Sequence, residues 1–322
     1  MVRRALIPAL VLAGCGTSAI GTASARLAHW RAFAHVKAPV DVAGPRPDGS
    51  LVLAVGRGLA TLSPDGVLNP FSTAYHGQGG EPYIAQAPPG CFGGGAIYAL
   101  KLSAPQGVYA IAPSGHTRLF ARLRAAGLAN GIAFDTTGRF DRRLLVTVSG
   151  AGRTTVYAVG CHGGVRTITR SAPTVEGGIA VAPASFGRFA GDLIAPDELS
   201  GKIWAITPSG GARLLAASGL PAGPDTGVES LGFVPAGGVR YRVFMADRAT
   251  PGNPHPGDNE ILRLGSSALK RAGVRGGDLL AATEGGALVD AVTCRATRCH
   301  VRKVAAGPTI AHGEGHIAVV VR

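Results

Sequence analysis

Asn130-Gly131-Ile132-Ala133-Phe134 opens the stretch that decides the fold. Apolar runs follow from Leu144 to Val148, Thr155 to Val159 and Val165 to Thr169, each set off by turn residues, so one short unit holds four strands. Glu176-Gly177-Gly178-Ile179-Ala180-Val181 begins the pattern again. So do Pro39-Val40-Asp41-Val42-Ala43, Glu81-Pro82-Tyr83-Ile84-Ala85 and Glu229-Ser230-Leu231-Gly232-Phe233. Successive starts lie 42, 49, 46 and 53 residues apart. A period in the forties with four short strands per unit predicts propeller blades, because each small sheet must bury both faces against its neighbours. A further 49 residues lead to Asp278-Leu279-Leu280-Ala281-Ala282, read as the sixth start. The expected fold is all-β, a six-bladed β-propeller of four-stranded antiparallel blades forming a single domain over residues 39–322. Gly313-Glu314-Gly315-His316-Ile317-Ala318-Val319 comes too late for another blade. It is expected to close the ring onto the first blade, with Pro39 to Thr73 supplying the rest of that sheet.

Glycine (49) and proline (22) make up 71 of the 322 residues and punctuate the apolar runs, with Pro-x-Gly turns at Pro64, Pro113 and Pro208. The N-terminus reads differently. Met1-Val2-Arg3-Arg4 precedes an apolar run that ends in Leu12-Ala13-Gly14-Cys15, too short to span a bilayer, which marks residues 1–25 as an export signal. Leu12 to Cys15 resembles the lipobox of bacterial lipoproteins, which implies lipidation of Cys15 and membrane contact through that anchor only. Ala23-Ser24-Ala25 has the small-x-small form of an ordinary secretory cleavage site. Either reading places the mature protein outside the cytoplasm, with residues 26–38 as a tether.

Without Arg3 and Arg4 the formal charge of +13 becomes +11, and 27 of the 32 basic residues are arginine. Such a surface attracts phosphate-rich envelope polymers and anionic lipid. The arginines are scattered singly, so no nucleic-acid groove is expected, and the partner is a small-molecule or cell-envelope ligand. Cys91, Cys161, Cys294 and Cys299 remain once Cys15 is set aside, an even number suited to an oxidising compartment. Cys294 and Cys299 fit a bridge across a hairpin. Cys91, after a first strand, and Cys161, between the third and fourth strands of the next blade, lie at the same end of the barrel, so a bridge between neighbouring blades is allowed. His162 and His300 each follow a cysteine and leave zinc formally open, but no Cys-x-x-Cys spacing supports it.

Asn130-Gly131-Ile132-Ala133-Phe134-Asp135, Glu176 to Val181, and Asp192-Leu193-Ile194-Ala195-Pro196-Asp197 leading to Gly201-Lys202-Ile203-Trp204 resemble the superfamily of gluconolactonases, senescence marker protein, strictosidine synthase-like proteins and NHL repeats. The resemblance covers most of residues 39–322 as a repeat pattern. It implies a divalent metal, usually calcium, at the mouth of the central channel, held by Glu, Asn and an Asp at the end of a second strand, where Asp197 stands. Where that family would offer Asn on the same blade, this chain has Glu176.

Elementary electrostatics points to the same place. First strands line the channel, so Glu81, Asn130, Glu176, Glu229 and Glu314 converge as a ring, with Asp197 or Asp247 completing it. Carboxylates facing one cavity repel each other, and a hard cation relieves this. His312, Glu314 and His316 alternate on one strand, and the outer two would stand roughly 13 Å apart at about 3.3 Å per residue, so they do not share one ion. His316 or Asp197 is the candidate general base, and His76, five residues before Glu81, approaches the same mouth. The loop from Arg248 to Glu260, rich in Pro and Gly, is expected to overhang one end of the barrel. No Gly-x-Ser-x-Gly elbow, phosphate-binding loop or His-Glu-x-x-His helix is present. The two functions these residues allow are a metal-dependent hydrolase of lactones or related esters, and a non-catalytic extracytoplasmic propeller that binds a ligand or protein.

Overall fold

The computed structural model describes residues 26–72, 75 and 80–321. The export signal, its lipobox with Cys15, and His76 lie outside the described residues. Two strands come first, β1 (Ala28–His29) and β2 (Arg31–His35). Blade one then runs β3 (Pro39–Ala43), β4 (Leu51–Val55), β5 (Gly58–Leu62) and β6 (Leu68–Ser72) from the channel outwards. Blade two is β7 (Ile84–Gln86), β8 (Ile97–Lys101), β9 (Gly107–Ile111) and β10 (Thr117–Arg122). Blade three is β11 (Leu128–Phe134), β12 (Leu144–Gly150), β13 (Arg153–Val159) and β14 (Val165–Ala172). Blade four is β15 (Ala180–Val181), β16 (Leu193–Asp197), β17 (Lys202–Ile206) and β18 (Ala212–Ala217). All four are plain antiparallel meanders, as their repeat predicts.

Blades five and six are built differently. After β19 (Val228–Phe233), the inner strand of blade five, the chain crosses into blade six for β20 (Tyr241–Asp247) and β21 (Glu260–Gly265). A short helix, α1 (Ser266–Arg271), returns it to blade five for β22 (Leu279–Thr283), β23 (Val289–Arg295) and β24 (Arg298–Ala306). Only then does β25 (Gly313–Val321) supply the inner strand of blade six, pairing with β20. Asp278 therefore precedes a second strand and does not start the sixth blade. Likewise, β25 belongs to blade six and not to blade one, which already has β3. The apolar code misleads here because inner and second strands are equally buried, so Leu279-Leu280-Ala281-Ala282 reads the same in either place.

The N-terminal segment closes the ring. β2 pairs with β21 as the outer strand of blade six, and β1 lies parallel to β24 at the edge of blade five. Residues 28–35, expected within a tether, are thus part of two sheets, because blade six lacks a fourth strand of its own. Phe33 of β2 packs on Phe244 with ring centroids 5.4 Å apart.

Apolar side chains between adjacent blades form the core. Phe92, Tyr98, Phe120 and Phe134 meet edge to face where blades two and three adjoin. The hairpin turns help the blades close up. Gly115, Gly163 and Gly210 sit in the left-handed region (φ +86, +81 and +91), and a Cβ on any of them would press on a carbonyl of the preceding blade's outer strand. Both cysteine pairs are disulfides: Cys91–Cys161 ties blade two to blade three across 70 residues, and Cys294–Cys299 clips the β23–β24 hairpin. Such bridges fit an oxidising, extracytoplasmic compartment. Among the described residues no helix is long and apolar enough to cross a membrane.

Candidate functional site

The inner strands bring their N-terminal ends to one mouth of the channel. Glu81 precedes β7, Glu229 lies in β19 and Glu314 in β25, and one carboxylate oxygen from each lies within 4.8 Å of the other two. Glu176 joins from blade four because Gly177 and Gly178 let its segment leave the sheet and cross the channel. Their N–H groups donate to Asn130 O and Glu229 O, both at 2.9 Å. A Cβ on Gly177 would strike Glu229, and one on Gly178 would meet the backbone of Gly315 and His316 on blade six.

So many carboxyl groups in one place need counter-charge or protons. Arg248, at the foot of the overhanging loop, donates from Nη1 to Glu81 and to Glu314, each at 3.2 Å. The Tyr83 hydroxyl donates to Glu229 and lies 3.4 Å from Glu81. His312 Nε2 stands 2.8 Å from Glu284 and 3.5 Å from Glu314, and Glu284 shares a hydrogen bond with Glu198. Burial pushes Glu314 up to about 7, helped by Glu81 and opposed by His312 and Arg248. Burial, with Glu198 and Glu81, also raises Glu176 to about 7. Glu198 rises to about 8 through burial and Glu284, and burial holds Glu229 well above the carboxylate range. Burial works against charge on His312, but Glu284 and Glu314 outweigh it and push the imidazole up to about 10.

The donor set suits a hard cation. Glu229 Oε2 and Glu314 Oε2 are buried with no hydrogen-bond partner, and so are Glu198 Oε1 and His312 Nδ1. Buried acceptors are rarely left so, and carboxylate oxygens from several chain segments are what calcium takes. Glu81, Glu229 and Glu314 are the residues that would hold it. A second group, Asp225, Glu284 and His312, also has ligand atoms within 4.8 Å of one another, beside the first.

The remaining sequence candidates lie elsewhere. Asn130 holds the connection from blade three to blade four, donating its amide to Val175 O at 2.8 Å beside Glu176 and accepting from Thr147 at 3.1 Å. Asp197 ends β16 and accepts from the N–H and hydroxyl of Ser200, capping a turn. Its neighbour Glu198 faces the cluster instead. Asp247 is fully buried, takes the His312 N–H at 2.9 Å and is pushed up to about 6 by burial. His316 lies deeper in the channel. Gly315 (φ +69) bends the strand, and the His316 ring packs 2.9 Å from Asp41, which opposes burial and keeps the imidazole pKa raised. His312 and His316 thus engage separate carboxylates, even though Gly315 bends the strand between them.

Four contributors escaped the sequence reading: Tyr83, Glu198, Glu284 and Arg248. Strand alternation offered one signal, since Glu198 directly follows the chosen Asp197 and projects to the opposite side. The far end of the channel is apolar. A cavity of about 340 Å³ there is walled by the six inner strands, among them Val42, Ile84, Ile132, Leu231 and Ile317.

No family model matches the chain, and no curated protein does. Among solved structures the fold is similar to a streptogramin B lyase, 9% identical, covering 94% of this chain and 100% of that one with a TM-score of 0.50. It is also similar to a gluconolactonase from Xanthomonas campestris, 16% identical over 76% of this chain and 92% of that one, TM-score 0.38. A protein of unknown function from Bacteroides thetaiotaomicron is 11% identical over 80% of this chain and 55% of that one, TM-score 0.50. The chain is thus similar in fold to the streptogramin B lyase and to the Bacteroides protein. At these identities the likeness is one of fold.

Proposed function

We propose that this is an exported propeller that holds a divalent cation, calcium by the chemistry of its donors, at the acidic mouth and hydrolyses lactones or related esters there. One observation carries the reading: Glu229 and Glu314 each keep a buried carboxylate oxygen without a donor, within a cluster drawn from three blades. A hard cation supplies Lewis-acid polarisation of a carbonyl.

The chain's own groups supply the rest. Glu176, at the rim and near neutral in pKa, is the group suited to take a proton from water as its oxygen bonds to the ester carbonyl carbon. It returns that proton to the departing alkoxide oxygen as the carbon–oxygen bond breaks, leaving an acid and an alcohol. Arg248 and protonated His312 offset negative charge that develops at the mouth. Asp197 and His316 are engaged with Ser200 and Asp41, so the base role moves to Glu176.

The test is calorimetric titration of calcium into the mature protein and a Glu229→Gln/Glu314→Gln variant, followed by a panel of lactones and esters assayed with and without Glu176→Gln. Saturable binding lost in the double variant, with turnover lost in Glu176→Gln, supports the reading; absence of both sinks it. Calcium binding without turnover would favour a binding propeller, a reading that the Arg248 ion pairs also favour because they fill part of the mouth.

A further inference from the structure

A cleft between the outer edges of blades two and three, lined by none of the residues of the acidic mouth, has a volume of about 720 Å³. Arg122 and Arg124 from the blade-two edge and Arg170 from blade three line it, and no acidic residue does. None of the three forms an ion pair with a described residue, and the one polar contact among them is Arg170 Nη2 to Thr167 Oγ1 at 3.5 Å. On the same strand Arg166 does pair, with Asp141 at 3.2 Å, so the unpaired state is particular to the cleft side. Tyr157, only 3% exposed, also lines the cleft. Its hydroxyl accepts the Ala125 N–H at 2.8 Å and keeps its own proton to donate.

Three guanidinium forks and a hydroxyl donor with no acceptor opposite them describe an anion site. Guanidinium matches phosphate oxygens bidentately and stays charged at every pH the protein meets. We propose that this cleft binds the phosphate groups of a phosphate-bearing chain, with oxygens spread over two blade edges. Formal charge of +13 over the whole chain draws such an anion in from a distance, and the cleft fixes where it settles.

The probe is inorganic polyphosphate, titrated calorimetrically into the mature protein at several salt concentrations. Arg122→Gln/Arg124→Gln/Arg170→Gln is compared with the charge-matched Arg240→Gln/Arg271→Gln/Arg298→Gln, all surface changes whose folding is checked by thermal melts. The cleft variant is expected to bind at least about tenfold more weakly, with the slope of log K against log salt reduced by about three, while the control stays close to wild type. A parallel arm uses phosphatidylglycerol vesicles with phosphatidylcholine as blank. Loss confined to vesicles assigns the phosphate to lipid headgroups, and loss with polyphosphate assigns it to a soluble polymer. Equal weakening of both variants, or no binding of either probe by wild type at low salt, overturns the proposal.

Discussion

Arg248 donates to Glu314 at 3.2 Å, pairing a guanidinium that is 24% exposed with a carboxylate that is fully buried. Removing the cation leaves a buried acid with less compensation. Arg248→Ala is therefore expected to lose about 2 kcal/mol of stability in chelator, below the ~3–5 kcal/mol of a fully buried pair because the arginine touches solvent. Calcium should restore much of that loss and bind more tightly than to wild type, since the competing cation is gone. Urea unfolding of both proteins, with chelator and with calcium, checks this.

The raised carboxyl pKa values set a pH dependence with a definite sign. Glu176 and Glu314 move from 4.5 to about 7 and Glu198 to about 8, so between those limits the folded state binds more protons than the unfolded one. Their contribution is complete below pH 4.5 and is lost as pH rises through 7 to 8. His312, raised from 6.5 to about 10, acts in the same direction above 6.5. The melting temperature in chelator should fall between pH 5 and pH 8 by on the order of 5 °C or more. Calcium should raise it more at pH 8 than at pH 5, with proton release measurable in buffers of different ionisation enthalpy.

Gly315 is irreplaceable for two reasons. Its φ is +69, and a Cβ would press into the Asp41 carboxylate and Val40 O. Gly315→Ala should cost about 2–4 kcal/mol and detach His316 from Asp41. A shift of the His316 ring resonances in the NMR spectrum would accompany the lower midpoint; an unchanged midpoint would refute the close approach.

The two disulfides should differ in worth. Loop entropy gives about 4 kcal/mol for Cys91–Cys161, which spans 70 residues, and about 2 kcal/mol for Cys294–Cys299, which spans 5. Paired Cys→Ala variants compared by denaturant midpoint test that order.

Strands β1 and β2 should be indispensable to the ring. Deleting residues 26–35 removes the outer strand of blade six and leaves Phe244 without Phe33. A melting temperature lowered by at least about 10 °C is expected, against little change for a tether.

Much of this protein was legible in its residues alone. Four blades, their inner strands, the Cys294–Cys299 hairpin bridge and four of the clustered acids, Glu81, Glu176, Glu229 and Glu314, follow from a local pattern, because strand alternation and turn chemistry act over a few residues, whereas the Cys91–Cys161 bridge between blades was only allowed by topology. What the pattern does not carry is the identity of a strand's partner. Inner and second strands are both buried, so β22 resembled a blade start and β25 a closing strand of blade one until their pairings were seen. The same holds for the site. Glu198, Glu284 and Arg248 reach the mouth only because ring closure and the exchange between blades five and six bring distant segments together. Burial there, a property of the assembled ring, is what makes these carboxyl groups hold protons or a cation near neutral pH.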